Sequence, residues 1–311
     1  MDASIKPRSP WLIIIWTFGL FILGHTVLYL HFWIAGRVTG ASFGEMASGA
    51  VESPETILSQ GLVGLVAGIP MIFIMIRFLW RRSRAWMGLR FEIPSILTGL
   101  ALGIGSAVVA LGILFALGSA RITGLPQRLA LSTWIMILAG HVGWACFKTL
   151  LEEVIFRGMA VRELALRWNW PLATLAGGIY FSVVHLIGLV PILTVPLALG
   201  ILIAGSIVNA LLVACYRRGR SLSLPLGFHF GSNIALTALA GTTMSGTDSS
   251  FGLLRIELTG PIFLTGGDFG VELSVIAVVV TAGIAVAVLK APLGGRAVLL
   301  GNLPDDDRPP Q

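Results

Sequence analysis

Long apolar runs separated by short polar segments make up most of the chain. A helix crosses a bilayer in about 20 apolar residues. On that measure the pattern predicts about eight spans: Trp11–Ile34, Gly61–Trp80, Ile96–Ala120, Trp134–Phe156, Pro171–Leu189, Ile192–Tyr216, Leu222–Ala240 and Leu273–Leu289. The expected fold is therefore all-α, a polytopic membrane helix bundle. It forms a single transmembrane domain over 1–294, with its functional core at about 134–240. The closing stretch "NLPDDDRPPQ" is polar and proline-rich, and 295–311 reads as a disordered cytoplasmic tail. No fixed-period repeat is present.

Composition agrees with this pattern. Of 311 residues, 56% are hydrophobic and 12% charged, whereas soluble domains carry roughly 25% charged residues. The first apolar run is longer than the roughly 7–15 residues of a signal-peptide core, so it reads as a retained span. Lys and Arg are retained on the cytoplasmic side of membranes, and here they alternate between loops. Lys6 and Arg8 precede the first span. Arg77, Arg81, Arg82, Arg84 and Arg90 follow the second, and Arg157, Arg162 and Arg167 follow the fourth. Arg217, Arg218 and Arg220 follow the sixth, and Lys290 and Arg296 the eighth. The intervening loops hold few cations: Arg37 among glutamates, Arg121 with Arg128, and Arg255. Both termini are thus expected in the cytoplasm. The net charge of +6 lies in these loops and does not point to nucleic acid. Cys146 and Cys215 fall in apolar runs and suggest packing rather than a disulfide or zinc site.

Against this background some polar residues are out of place, because an ionisable side chain inside a span costs about 2.5–3.5 kcal/mol and faces a cavity or a partner. Three clusters stand out. "TLLEEVIFRGMAVREL" carries Glu152, Glu153 and Arg157; "YFSVVHLIG" carries His185; "GFHFGSN" carries His229 and Asn233. The first two belong to neighbouring helices. A turn near Asn169, before Pro171, puts Glu152 roughly 17 residues upstream and His185 roughly 16 downstream, so on an antiparallel hairpin they are level. His229 and Asn233 are one turn apart on one face, and Gly227 and Gly231 allow a backbone or a substrate to come close. Glu153 and Arg157 are spaced to pair, while Glu152 points about 100° away. Lys148 lies one turn before Glu152 and can hold it ionised. His25, His31 and His141 read as packing residues, and Asn209 as interhelical hydrogen-bonding glue.

These residues resemble the CPBP family of intramembrane proteases, which includes the type II CAAX prenyl endopeptidases and bacteriocin-processing, lysostaphin-resistance-like or immunity proteins. The resemblance rests on Glu152-Glu153-Val154-Ile155-Phe156-Arg157, on Phe181 four residues before His185, and on His229 four before Asn233. It implies hydrolysis of a peptide bond in a membrane-embedded or lipidated peptide within the bilayer. The compact loops and the clean alternation of basic residues suit a bacterial inner membrane.

 By the same resemblance, Glu152 with His185 would activate a water, His229 and Asn233 would point donors at the tetrahedral intermediate, and Glu153 with Arg157 would support them.

The cofactor stays open at this point. Glu152, His185 and His229 make a two-histidine, one-carboxylate set of the kind that binds zinc. A metal-free glutamate–histidine mechanism fits the same residues, and the cation at Lys148 tips the reading that way. Two other functions are compatible with the clusters: a non-catalytic immunity or partner-binding protein of the same family, and a proton- or ion-coupled transporter. Transporters commonly show inverted repeats, which this chain lacks. The sequence also has no His-Glu-x-x-His run.

Overall fold

The computed structural model describes residues 8–124, 129–190, 193–249 and 251–290. Lys6, Arg128, Arg296 and the expected tail at 295–311 lie outside the described residues. The elements are α1 (Pro10–Thr39), α2 (Phe43–Ser48), α3 (Pro54–Trp80), α4 (Ile93–Ala116), β1 (Ala120–Gly124), α5 (Leu131–Arg167), α6 (Trp170–Ile187), α7 (Val195–Gly219), α8 (Ser223–Ile234), β2 (Arg255–Leu258), α9 (Ile262–Thr265) and α10 (Val275–Lys290). Six of these helices, α1, α3, α4, α5, α6 and α7, are long and apolar enough to cross a membrane.

The other two expected spans are shorter helices. α10 has 16 residues. α8 runs on through a π-helical turn, Ala235–Leu239, and stops where Gly241 takes a φ of 57° and reverses the chain. The second span starts earlier than its apolar run because Ser53 caps it and Pro54 occupies its first turn, which draws the polar Glu55 and Gln60 into the helix. The third ends at Ala116, since Ala120–Gly124 pairs with Arg255–Leu258 as a two-stranded antiparallel ribbon.

The outward faces carry large exposed apolar side chains such as Val66, Ile135, Ile203 and Val279. Such a surface is suited to hydrocarbon. Inside, Phe147, Leu151, Val154, Ile155 and Met159 of α5 lie at the centre of the main core, so α5 is the axial helix. α8 lies along α4 at the closest range backbones allow. A side chain at Gly99 or Gly103 would run into Leu224 O or Phe228 O, and one at Gly227 or Gly231 into Ile96 O or Leu100 O. Small residues one turn apart on both helices are the usual means of close packing in lipid. The backbone that Gly227 and Gly231 admit is thus that of α4.

Contacts define the two ends of the bundle. At one end the arginines gather: Arg8 donates to Trp80 O at 2.8 Å, Arg82 pairs with Glu163 at 2.8 Å, and Arg162 donates to the Tyr216 hydroxyl at 3.1 Å. Ser223 Oγ donates to Arg90 O there at 2.6 Å. At the other end the β-ribbon and the 242–274 segment cover the helices, with Asp248 N donating to Ser48 O at 3.1 Å and Gly246 N to Phe269 O at 2.8 Å.

Candidate active site

Three helices bring the polar clusters together. Asn169 caps α6, its Oδ1 accepting from Leu172 N at 2.9 Å, and the chain turns there from α5 into α6. Equal helical rise on both arms then places Glu152 opposite His185. Glu152 Oε2 is 3.9 Å from His185 Nε2 and 3.7 Å from His229 Nε2. Its other oxygen, Oε1, is 4.0 Å from Lys148 Nζ. Glu152 Oε2 is buried and has no hydrogen-bond partner among the described residues. A buried carboxylate oxygen left unpaired in this way calls for an explanation, and here it points between two imidazoles.

Glu153 is placed differently. From Glu153 to Val161 the helix widens into a π-helical stretch, a feature often found at functional sites. Glu153 Oε1 accepts from Arg157 Nη1 at 3.1 Å and meets His229 Nδ1 at 2.8 Å. All three charged side chains, Glu152, Glu153 and Arg157, are at most 1% exposed. Arg157 also lies over the Phe181 ring, 4.5 Å from its centroid, and Phe181 stacks on His185 at 4.3 Å. The expected Glu153–Arg157 pair is therefore joined by a link that spacing could not reveal: it orients His229.

Hydrogen-bond partners set the tautomers. His185 Nδ1 lies 2.8 Å from Phe181 O, which can only accept, so Nδ1 carries the hydrogen and Nε2 faces the site. His229 Nδ1 is likewise committed to the Glu153 carboxylate, leaving Nε2 toward Glu152. Asn233 donates through Nδ2 to Thr149 Oγ1 at 3.3 Å, and an amide nitrogen has a second hydrogen.

Two cavities meet at this point. The smaller, about 120 Å³, is lined mainly by apolar side chains of α4, α7 and α8, with His229 and Asn233 on its wall. The larger, about 380 Å³, is lined by more polar groups, among them His25, Gln60 and His141. Lys148, Glu152, His185 and Ser245 border both.

Sequence reasoning missed three contributors. His25 of α1, read as packing, lines the larger cavity. Ser245 donates through its hydroxyl and its backbone N–H to Glu272 Oε1, at 2.6 and 2.9 Å, and both residues line the smaller cavity. Burial raises the Glu272 carboxyl above its ordinary range. None of these lies in a regular pattern with the motif residues. Asn209 behaves as read, its Nδ2 donating to Thr174 O at 2.8 Å, whereas His141, which bonds Phe251 O at 3.1 Å, lines the larger cavity as His25 does. Cys215 is buried and Cys146 half-buried, and both are free.

Zinc was one reading of Glu152, His185 and His229, and the donor types suit it. The arrangement does not. Among the described residues, no group of three His, Cys, Asp or Glu side chains is disposed to hold an ion. The ammonium of Lys148 beside Glu152 also opposes a dication there.

No curated protein matches the chain. Residues 131–235 match the family model described as Type II CAAX prenyl endopeptidase Rce1-like, a stretch that holds all six motif residues. With its six long apolar helices the chain is an integral membrane protein, and its residues 131–235 are similar to the Rce1-like type II CAAX prenyl endopeptidases.

Proposed function

We propose that the protein is an intramembrane endopeptidase that hydrolyses a peptide bond of a membrane-embedded or lipidated peptide without a metal. The observation that carries this reading is the unpartnered Glu152 Oε2, held between the Nε2 atoms of His185 and His229 where two cavities join. Separations of 3.7 and 3.9 Å are too long for direct hydrogen bonds and suit groups that share a water.

In this mechanism Glu152 takes a proton from the water as its oxygen bonds to the amide carbon. The water's one remaining hydrogen is shared by the two Nε2 atoms, which aim it. The second N–H of Asn233 and the Lys148 ammonium meet the oxyanion. Glu152 then passes its proton to the amide nitrogen as the C–N bond breaks, leaving a carboxylic acid and an amine. His229 could donate to the oxyanion only with both nitrogens protonated, because its Nδ1–H is engaged by Glu153. Its role here is therefore orientation of the water, and Glu153 and Arg157 are positioning residues.

The bundle is completed as eight membrane helices when α8 and α10 are counted, with both termini cytoplasmic and a bacterial inner membrane as the setting. The test is cleavage of a membrane-tethered peptide library by purified protein, with Glu152→Ala and His185→Ala beside it. Cleavage lost in both folded variants supports the reading; cleavage retained in Glu152→Ala overturns it. A zinc chelator is expected to leave wild-type cleavage intact, and loss that zinc restores would overturn the metal-free mechanism.

A further inference from the structure

The two cavities share an orientation. Beyond the centre itself, the larger is bordered by Ala47, Glu52, Asp248 and Ser249, and the smaller by Phe269 and Glu272. All of these belong to the end of the bundle covered by the β-ribbon and the 242–274 segment. Neither cavity is lined by a residue of the 81–92, 157–170 or 213–226 segments, which form the arginine end. Below Glu152 the bundle is closed: Val154, Ile155, Phe156, Arg157, Met159 and Val161 are all at most 1% exposed. The centre is therefore open toward one end and sealed toward the other.

Charge decides which end is which. Arg77, Arg81, Arg82, Arg84 and Arg90, with Arg162, Arg167 and the Arg217–Arg220 group, crowd the sealed end. Arg37, Arg121 and Arg255 are what the open end holds among its described residues. Such an asymmetry places the sealed end in the cytoplasm.

We propose that the site takes its substrate from the extracytoplasmic side: a peptide segment exposed at the outer face of the membrane, at the end of an inserted helix or on a lipid anchor in the outer leaflet. The proposal rests on the endopeptidase reading. A segment confined to the cytoplasm would have to pass the packed Glu153–Val161 stretch and its buried ion pair. A segment at the outer face meets the larger cavity directly and reaches Glu152 with no rearrangement of the core.

The test has two arms. In the first, single cysteines are introduced by Asp248→Cys at the open end, Ala85→Cys at the sealed end and Ser245→Cys where the cavities meet. Cells with intact membranes are treated with a membrane-impermeant maleimide, and labelling of the unaltered protein is taken as background. Labelling of Asp248→Cys and Ser245→Cys, with none of Ala85→Cys, is the expected result. Labelling of Ala85→Cys alone overturns the proposal. This arm needs no activity.

In the second arm the peptide library is fused to either the outer or the inner end of a single-span anchor and co-reconstituted in vesicles with the Ala85→Cys protein, whose orientation the same maleimide reports. Cleavage is expected for the fusion on the Asp248 side and lost for the one on the Ala85 side. Cleavage confined to the Ala85 side overturns the sidedness and leaves the endopeptidase reading intact. Cleavage on neither side, in protein that labels as expected, overturns both.

Discussion

Glu152 and Glu153 are neighbours in sequence, equally buried, and opposite in circumstance. Glu153 is held at Oε1, which Arg157 meets at 3.1 Å and His229 at 2.8 Å. Its Oε2, though without a hydrogen-bond partner among the described residues, lies in a stretch where the surrounding side chains are packed shut. Glu152 has groups around it at 3.7–4.0 Å, none bonded to Oε2, and hollow space on two sides. A bundle in lipid tolerates a carboxylate in two ways, by neutralising it tightly or by leaving it beside a wet pocket with work to do. Here both solutions occupy adjacent positions of α5, and the 100° step between successive residues is what separates them.

The sharpest way to break this comparison is to neutralise each glutamate in turn. Glu152→Gln keeps the shape and removes the base. Cleavage is expected to fall by roughly 10²–10⁴-fold, with thermal stability in detergent little changed. Wild-type rates in Glu152→Gln would end the distinction. Arg157→Ala acts on the other side. It leaves Glu153 charged and without its guanidinium, and the expected cost is about 3–5 kcal/mol of stability. A double variant, Glu153→Gln with Arg157→Met, removes both charges and should recover most of that stability. It should not recover cleavage, because His229 Nδ1 loses its carboxylate. Full activity in the stable double variant would show that the pair only supports the fold.

Asn233 tests the catalytic side more finely. Asn233→Ala is expected to lower kcat by about 10²–10³-fold, as loss of an oxyanion donor does, and to leave KM nearly unmoved. Thr149→Val removes the hydroxyl that Asn233 binds and keeps the amide, so a much smaller fall is expected. Equal losses in the two variants would reduce Asn233 to a packing residue.

How much of this was legible in the sequence follows from the range of the interactions. The level placement of Glu152 and His185 could be read because it depends only on helical rise and on one turn at Asn169. The Glu153–Arg157 pair and the His229–Asn233 face are spaced by four residues and equally local. The link between Glu153 and His229 was not legible, since it depends on how α8 is held, and that is set by Gly99 and Gly103 on α4 as much as by Gly227 and Gly231. His25, Ser245 and Glu272 reach the cavities from α1 and from irregular segments, where no period announces a facing side. The span ends moved for similar reasons: caps at Ser53 and strand pairing at Ala120 are stronger local signals than the edge of an apolar run.

The smallest expected effect concerns the hinge of the comparison, Asn169. Its side chain caps α6 by accepting from Leu172 N at 2.9 Å, and Pro171 in the first turn already favours a helix start there. Asn169→Ala removes the cap and is expected to cost about 1 kcal/mol. The position of His185 depends on more than this turn, because Phe181 and His185 are stacked in sequence against Arg157 and Phe156. Those contacts should hold α6 in register with α5 after the cap is lost. Cleavage by Asn169→Ala should therefore match wild type at temperatures well below unfolding. A large fall in kcat at full folding would mean that the turn, and not the packing along the hairpin, sets the distance between Glu152 and His185.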